Sequence, residues 1–300
     1  MPEDVLVVVI VAYGVPELLA DCLAALEGQY RVIVVDNSSS ARVRAVVDAA
    51  GASYRDPGQN LGFAAGVNLA LEELALPDTD VLLLNPDATI APSSIARLCA
   101  RLAASPRLAC VGPRQRQPGS GVEQRVAWPF PTLLGGLMEA TGFATLRRRT
   151  DSISGAVLLL RGEALVEVGG FDERFFLYFE EIDWELRASR LGWGTAICNG
   201  AWATHIGAAT DSDQVRHELR IRAAEERYVR KHYGCLGWMS YRLVELIGAI
   251  GRAIVLKGSR RRVAAKRAWT YARGPDLLAC KAGAVPPPVP RVPDLSRFRN

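Results

Sequence analysis

Short runs of consecutive apolar residues alternate along this chain with longer stretches whose apolar positions recur every three or four residues. Val5–Ala12 is a continuous β-branched run, and Pro16–Leu26 then spaces Leu18, Leu19, Cys22, Leu23 and Leu26 as a helix does. Val32–Asp36 is a second strand, Arg42–Ala50 a helix, and Gly62–Leu76 a longer helix. Val81–Asn85 forms another apolar strand and Pro92–Ala104 another helix. Apolar strands too short to alternate, separated by helices, predict an α/β fold with a mostly parallel central sheet covered on both faces.

In such sheets ligands bind beyond the carboxyl ends of the strands. Three predicted strand ends carry polar residues there: Tyr13-Gly14, Asp36-Asn37-Ser38 and Asn85-Pro86-Asp87. A nucleotide is the expected occupant. Ser, Asp and Asn after a strand also serve as helix caps, so each cluster has a purely structural reading as well. Asn60–Asn68 holds glycines at a helix start but lacks Gly-x-Gly-x-x-Gly spacing, which argues against a dinucleotide cofactor. No phosphate loop of the Gly-x-x-x-x-Gly-Lys-Ser/Thr type occurs.

Composition is that of a globular protein, with 49% hydrophobic and 23% charged residues in 300. The six cysteines are dispersed without ligand spacing and read as reduced thiols. The first residues, Pro2-Glu3-Asp4, lack the basic charge of a signal peptide, so the reading is cytoplasmic. Charge changes the picture more. Residues 1–229 carry a net −8, residues 230–281 a net +10, and residues 282–300 a net +2. Three parts follow: a globular domain over 1–230, a basic amphipathic helical segment over 231–282, and a Pro-rich, disordered tail over 283–300. Trp238–Val255 is apolar but interrupted by Arg242, Glu245 and Arg252, and Arg260-Arg261-Arg262, Lys266 and Arg267 follow. That pattern suits an interfacial helix on anionic lipid, each basic residue contributing about 1 kcal/mol. A basic helical pair that merely closes the domain is the alternative. With an acidic body and no reader motif, nucleic acid is not the expected partner.

The densest chemistry lies at Phe175–Arg187, where Glu180, Glu181, Asp183 and Glu185 follow a run of aromatics. Burial beside apolar groups and mutual repulsion both raise carboxylate pKa values, as a general base requires. An amphipathic helix with an acidic N-terminus explains the charge equally well. If Glu180 starts a helix, Asp183 and Arg187 share a face, and Arg187 would orient an acid. Of the three histidines, His205 ends a strand, whereas His217 and His232 sit in a charged helical stretch that reads as solvated.

Taken in order, Val35-Asp36-Asn37-Ser38, Asn60-Leu61-Gly62-Phe63, Leu84-Asn85-Pro86-Asp87, Ser154-Gly155-Ala156, Gly169–Phe176, the acidic helix and Ala203-Thr204-His205 resemble family 2 glycosyltransferases of the GT-A fold over residues 4–230. Within that family the chain is most similar to bacterial rhamnosyltransferases of cell-envelope polysaccharide assembly. The resemblance implies an inverting transfer from a nucleotide sugar, with dTDP-L-rhamnose as donor and a lipid-linked saccharide as acceptor at the inner face of the cell membrane. Asp36 would bind the pyrimidine, and Asn60 and Asn68 would line the nucleotide pocket, with Gly62 allowing close backbone approach. Tyr13, Asn37, Asn85, Ser154, Gly155, Glu180 and Arg187 complete the implied substrate-binding set. Asp87 matches the last acid of the family's Asp-x-Asp motif and would hold Mg²⁺ or Mn²⁺ together with His205. Asn85 replaces the first acid, leaving the ion more dependent on the donor diphosphate.

Glu181 aligns with the family's catalytic base, there an Asp, and Asp183 is its rival. Trp128–Arg149 is expected to form a mobile acceptor loop or a plain surface excursion. The oligomeric state stays open. Two other classes are weighed: a sugar-phosphate nucleotidyltransferase, which would need a basic glycine-rich loop where Ala12–Pro16 stands, and a non-catalytic binding protein, which would not need both acids.

Overall fold

The computed structural model describes residues 6–133, 135, 151–207 and 214–286. β1 (Leu6–Ala12) is buried along its whole length, as a strand covered on both faces must be. It pairs in parallel with β2 (Arg31–Asp36) on one side and with β4 (Asp80–Leu84) on the other. β3 (Ser53–Arg55) extends the sheet beyond β2. Past β4 come β10 (Val157–Leu160), antiparallel to its neighbours, then β6 (Leu108–Arg116), β11 (Gly194–His205) and β5 (Ala88–Ile90). β7 (Glu123–Gln124) hangs on β6, and β8 (Ala127–Trp128) pairs with β9 (Ser152–Ile153) in a small second sheet.

Alternate residues of β1 enter two cores. Val8, Ile10 and Ala12 meet α1 (Pro16–Ala24), α2 (Ala41–Ala49) and α4 (Pro92–Ala103) through Leu19, Cys22, Val43, Val47, Ile95 and Leu98. Val7, Val9 and Val11 meet α3 (Phe63–Leu71), α5 (Gly162–Val168) and α6 (Glu180–Arg190) through Val67, Leu71, Leu165, Trp184 and Ala188. Each fully buried Val, Leu or Ile contributes about 1.5–3 kcal/mol, so this three-layer arrangement dominates the stability. α3 is shorter than its apolar spacing suggests. After Leu71 the chain tightens into three-residue turns, Glu73 N–H donating to Ala70 O and Leu74 N–H to Leu71 O, while Leu74 stays buried. Apolar spacing alone does not distinguish that tightened turn from continued helix.

The C-terminal part is a helical layer of its own. α7 (Gln214–Val255) runs through residue 230 and breaks instead at Gly234, whose φ of 70° is left-handed. α8 (Gly258–Arg273) folds back along it and α9 (Pro275–Lys281) closes the end. Trp238, Tyr228, Tyr241 and Tyr271 fill the space between them with Phe175. The carboxylate of Glu225 accepts from both Tyr241 and Tyr271 hydroxyls and pairs with Arg222. The change of charge at residue 230 is therefore not a break in the fold. Nor is 283–286 a loose tail: Ala284 and Val285 are buried against Leu219 and Ala223. Residues 287–300 of the expected tail, and most of the expected acceptor loop over 128–149, lie outside the described residues.

Candidate active site

The parallel strands β1, β2 and β4 end on one edge of the sheet, and Asn37 N–H donates to Ala12 O across it at 2.8 Å. β10 runs the opposite way, so Ser154–Ala156 at its start reaches the same edge, where Asn85 N–H donates to Ala156 O at 2.8 Å. β11 is parallel to β6 and ends there too, at His205. All three polar strand ends and both later motifs thus converge.

Asp87 and His205 meet because of strand register. β5 pairs antiparallel with the end of β11, Ala88 opposite His205, and Ile206 N–H donates to Asp87 O at 3.1 Å. The side chains follow: His205 Nε2 lies 3.3 Å from Asp87 Oδ1, both largely shielded. Gln124 Nε2 donates to His205 O at 3.0 Å and holds the strand end. Beneath, the Cys22 thiol is pushed up to about 12 by burial and by the charge of Asp87, which removes it as a nucleophile. One carboxylate and one imidazole fit a divalent cation whose other ligands come from outside the chain. Among the described residues no third His, Cys, Asp or Glu joins them. A donor diphosphate supplies the oxygens such an ion prefers.

Opposite these, α6 begins with Glu180 and Glu181. Tyr178 and Phe179, immediately before it, both adopt left-handed φ, 72° and 70°. Such strain costs on the order of 1–3 kcal/mol per residue and persists only where surroundings impose it. Here α7 imposes it: the Tyr178 hydroxyl bonds His217 Nδ1 at 2.9 Å and Phe179 packs on Tyr228. Glu181 lies against Gly155, where an added Cβ would come 3.4–3.7 Å from its side chain. Glu181 keeps partial exposure as a residue, while its Oε2, like Glu180 Oε2, is shielded from solvent and has no hydrogen-bond partner among the described residues. Burial pushes Glu180 well above the usual carboxylate range, and the Glu181 charge adds to it. Burial raises Glu181 as well, against nearby backbone amides that include Gly155.

The other two acids of the helix have different surroundings. Asp183 is fully buried and receives Arg187 Nε at 3.0 Å, Lys231 Nζ at 2.5 Å and His232 Nε2 at 2.8 Å. Burial opposes its charge, but these three hold its carboxyl below the usual range. A carboxylate so saturated is a poor base, unlike Glu181 with its shielded Oε2. Arg187 does orient an acid, and its other nitrogens donate to Val168 O and Gly170 O. Glu185 accepts from Ile153 N–H at 2.9 Å, ties α6 to β9, and is raised well above its range by burial.

Several expected nucleotide contacts are occupied from within. The Asp36 carboxylate accepts from Ser38 N–H, Ser38 Oγ, Ser40 N–H and Tyr54 Oη. Asn68 is buried and clamps Phe171, donating to its carbonyl at 2.8 Å and accepting from its N–H at 2.9 Å. Asn60 accepts from Gly62 N–H at 2.9 Å in a turn. Asn37 donates to Gly62 O at 2.9 Å. Gly62 does permit a close backbone approach, but to Phe176: an added Cβ would lie 2.3 Å from Phe176 O, at a φ of 82°. Gly62→Ala should therefore lower stability by about 2–3 kcal/mol in thermal unfolding. An unchanged midpoint would mean that this loop does not brace residue 176. Tyr13 stands half in solvent, at 53% exposure on the strand edge, and Asn60 is exposed as well. Ser154 N–H donates to Val126 O at 2.8 Å, and its Oγ accepts from Ala156 N–H at 3.4 Å.

His232 is not solvated, as its charged helix suggests, but has a side chain 3% exposed beneath Asp183. With Lys231, which bridges Asp183 and Asp172, it forms a support for the acidic helix. Arg174 and Lys231 outweigh the effect of burial and hold Asp172 down to about 2. Ala224, Tyr228 and His232 recur every four residues beside the aromatic core, and that spacing is the sequence signal for a buried face.

The profile of glycosyl transferase family 2 matches residues 7–165. An N-acetylglucosaminyl-diphospho-decaprenol L-rhamnosyltransferase of Mycobacterium tuberculosis is 30% identical over 247 residues, covering 71% of this chain and 80% of that protein. Among solved structures, a mannosyltransferase of Pyrobaculum calidifontis in complex with GDP-Man and Mn²⁺ superposes with a TM-score of 0.59 at 15% identity. It covers 93% of this chain and 79% of its own. A glucosyl-3-phosphoglycerate synthase of M. tuberculosis in complex with Mn²⁺ and UDP superposes at 0.55 and 17% identity, covering 76% and 78%. These likenesses establish the fold as GT-A. The chain belongs to glycosyl transferase family 2.

Proposed function

We propose that the chain is an inverting, divalent-metal-dependent glycosyltransferase that moves L-rhamnose from dTDP-L-rhamnose to a hydroxyl of a lipid-linked saccharide. One observation carries the chemistry: a shielded carboxylate oxygen on Glu181, without a hydrogen-bond partner among the described residues, shares the sheet edge with the Asp87–His205 pair. The donor and acceptor follow the M. tuberculosis rhamnosyltransferase, which is named for transfer to N-acetylglucosaminyl-diphospho-decaprenol. A decaprenyl-type acceptor also accounts for the net +10 of residues 230–281 better than a soluble one.

In this reading Glu181 accepts the proton of the acceptor hydroxyl as its oxygen attacks the anomeric carbon. The bond from that carbon to the diphosphate oxygen breaks on the opposite side, and its electron pair leaves with the nucleoside diphosphate. Configuration inverts and no covalent enzyme intermediate forms. Asp87 and His205 would hold the cation, which when bound offsets charge on the departing diphosphate. Glu180, buried and pushed toward its protonated form, spares Glu181 a second negative neighbour. Asp183, with Arg187, Lys231 and His232, sets the pose of the helix.

The test is nucleoside-diphosphate release by the full chain over a nucleotide-sugar panel, with and without a polyprenyl-diphospho-N-acetylglucosamine acceptor. Acceptor-dependent turnover with dTDP-rhamnose supports the reading, and turnover only with UDP- or GDP-sugars replaces the donor. Hydrolysis-free binding with no transfer to any acceptor would favour a non-catalytic protein. His205→Ala should raise the Mn²⁺ concentration for half-maximal activity about tenfold or more, with a matching loss of Mn²⁺-dependent thermal stabilisation. Equal metal titrations for variant and parent would remove His205 from the site.

A further inference from the structure

The second half of α7 has two unlike faces. Its inner face is spent on the fold: Trp238, Tyr241, Glu245 and Ala249 are all buried against the aromatic core and α8. Its outer face presents Leu236 at 79% exposure, then Met239, Leu243, Ile247, Ile250 and Ile254 at 77%. Their spacing of three and four residues makes one continuous apolar stripe, about 27 Å long at the rise of a helix. Isolated exposed apolar residues need no explanation, but a contiguous stripe of this length marks a contact surface.

Charge identifies the contact. Between Gly234 and Arg273 the sole carboxylate is Glu245, and it is buried on the inner face. Beyond the stripe, Lys257, Arg260, Arg261, Arg262 and Lys266 are exposed on the turn and the start of α8, with Val263 and Trp269 exposed among them. An apolar stripe continued by cations and an exposed tryptophan, with no exposed acid, complements a bilayer surface bearing anionic headgroups. A second copy of the chain would bring like-charged flanks together, which opposes self-pairing. No described helix is long and apolar enough to cross a membrane, so contact would be from one side.

We propose that the outer face of α7 and the basic turn into α8 form a membrane-docking surface for anionic lipid, with the stripe lying in the headgroup layer. This rests on its own surface and extends the reading of a lipid-linked acceptor: the same α7 that would lie on the bilayer supports the acidic helix through Lys231 and His232. A polyprenyl diphosphate would then meet the enzyme in the plane where it resides.

Co-sedimentation of the full chain with phosphatidylcholine vesicles, with and without phosphatidylglycerol, tests it without any turnover. Binding should require phosphatidylglycerol and fall with added salt. Arg260→Ala/Arg261→Ala/Arg262→Ala should weaken it about a hundredfold. Leu243→Asp/Ile247→Asp should abolish it while leaving the circular dichroism spectrum and melting midpoint unchanged. Vesicle binding that survives Leu243→Asp/Ile247→Asp, or no binding to anionic vesicles at all, overturns the proposal. A dimer in sedimentation velocity that the same pair of substitutions dissociates also overturns it, assigning the stripe to a second copy. Because binding is read directly, an inactive enzyme that still binds vesicles counts against the catalytic reading alone.

Discussion

Glu181→Gln is expected to lower kcat about a thousandfold while leaving donor affinity within about twofold. A positioned general base contributes about 10²–10⁴ to rate, and Gln keeps the volume without the ability to take a proton. Gln also leaves the packing against Gly155 in place, so the fold should be retained. The parent enzyme should lose activity as pH falls, because only the carboxylate form accepts the proton. Burial raises both acids, so that limb should lie above the ordinary Glu value of about 4.3, with a midpoint belonging to the coupled pair. In Glu181→Gln the limb should vanish from the residual rate. The decisive measurement is single-turnover product formation against pH for both proteins. A variant with parental rates and the same acid limb would take the base away from Glu181.

Asp183→Ala should have the largest effect on stability, about 3–5 kcal/mol, because it leaves Arg187, Lys231 and His232 around a buried site without their shared anion. In a protein of this size that lowers the melting midpoint by roughly 10 °C. Asp183→Asn should lose less, because its amide oxygen can still accept from one side of the cluster, although its NH2 cannot accept from the donors on the other and the charge is gone. The pH dependence has a definite sign. Asp183 has a folded pKa below its unfolded one, so its stabilisation is complete above the unfolded value near about 4. It is lost as pH falls through the folded value, and parent and Asp183→Asn should converge in acid. Thermal melts across that range, set beside kcat, separate support from chemistry. Parental stability with abolished turnover in Asp183→Asn would restore Asp183 as the base.

Much of the architecture was legible in the chain because burial on both faces demands unbroken apolar runs such as Val7–Val11 and Val81–Leu84. The order of short polar motifs after those runs identified the family, since each sits where a parallel strand must end. Asp87 and His205 stand out as polar residues at strand ends in the sequence, but what brings them together is the register of β5 on β11. Internal contacts were not readable. Asn68 and Asp36 carry suitable donors and acceptors for a nucleotide, and partners from within the fold bond them as well. His232 looked solvated because its neighbours in sequence are charged, although its neighbours in space are Asp183 and Tyr228.

The sequence alone therefore determined the sheet, its helical cover, the family and the strand edge that holds the site. Only the tertiary structure shows what surrounds each of Glu180, Glu181, Asp183 and Glu185. Successive helical residues turn by about 100°, so Glu180 and Asp183 point away from the face that Glu181 and Glu185 share. What waits in each direction comes from 26 to 75 residues away: Gly155 for Glu181, Lys231 and His232 for Asp183, Ile153 and Cys110 for Glu185. Local pattern sets where a side chain points, and only the packed chain sets what it meets.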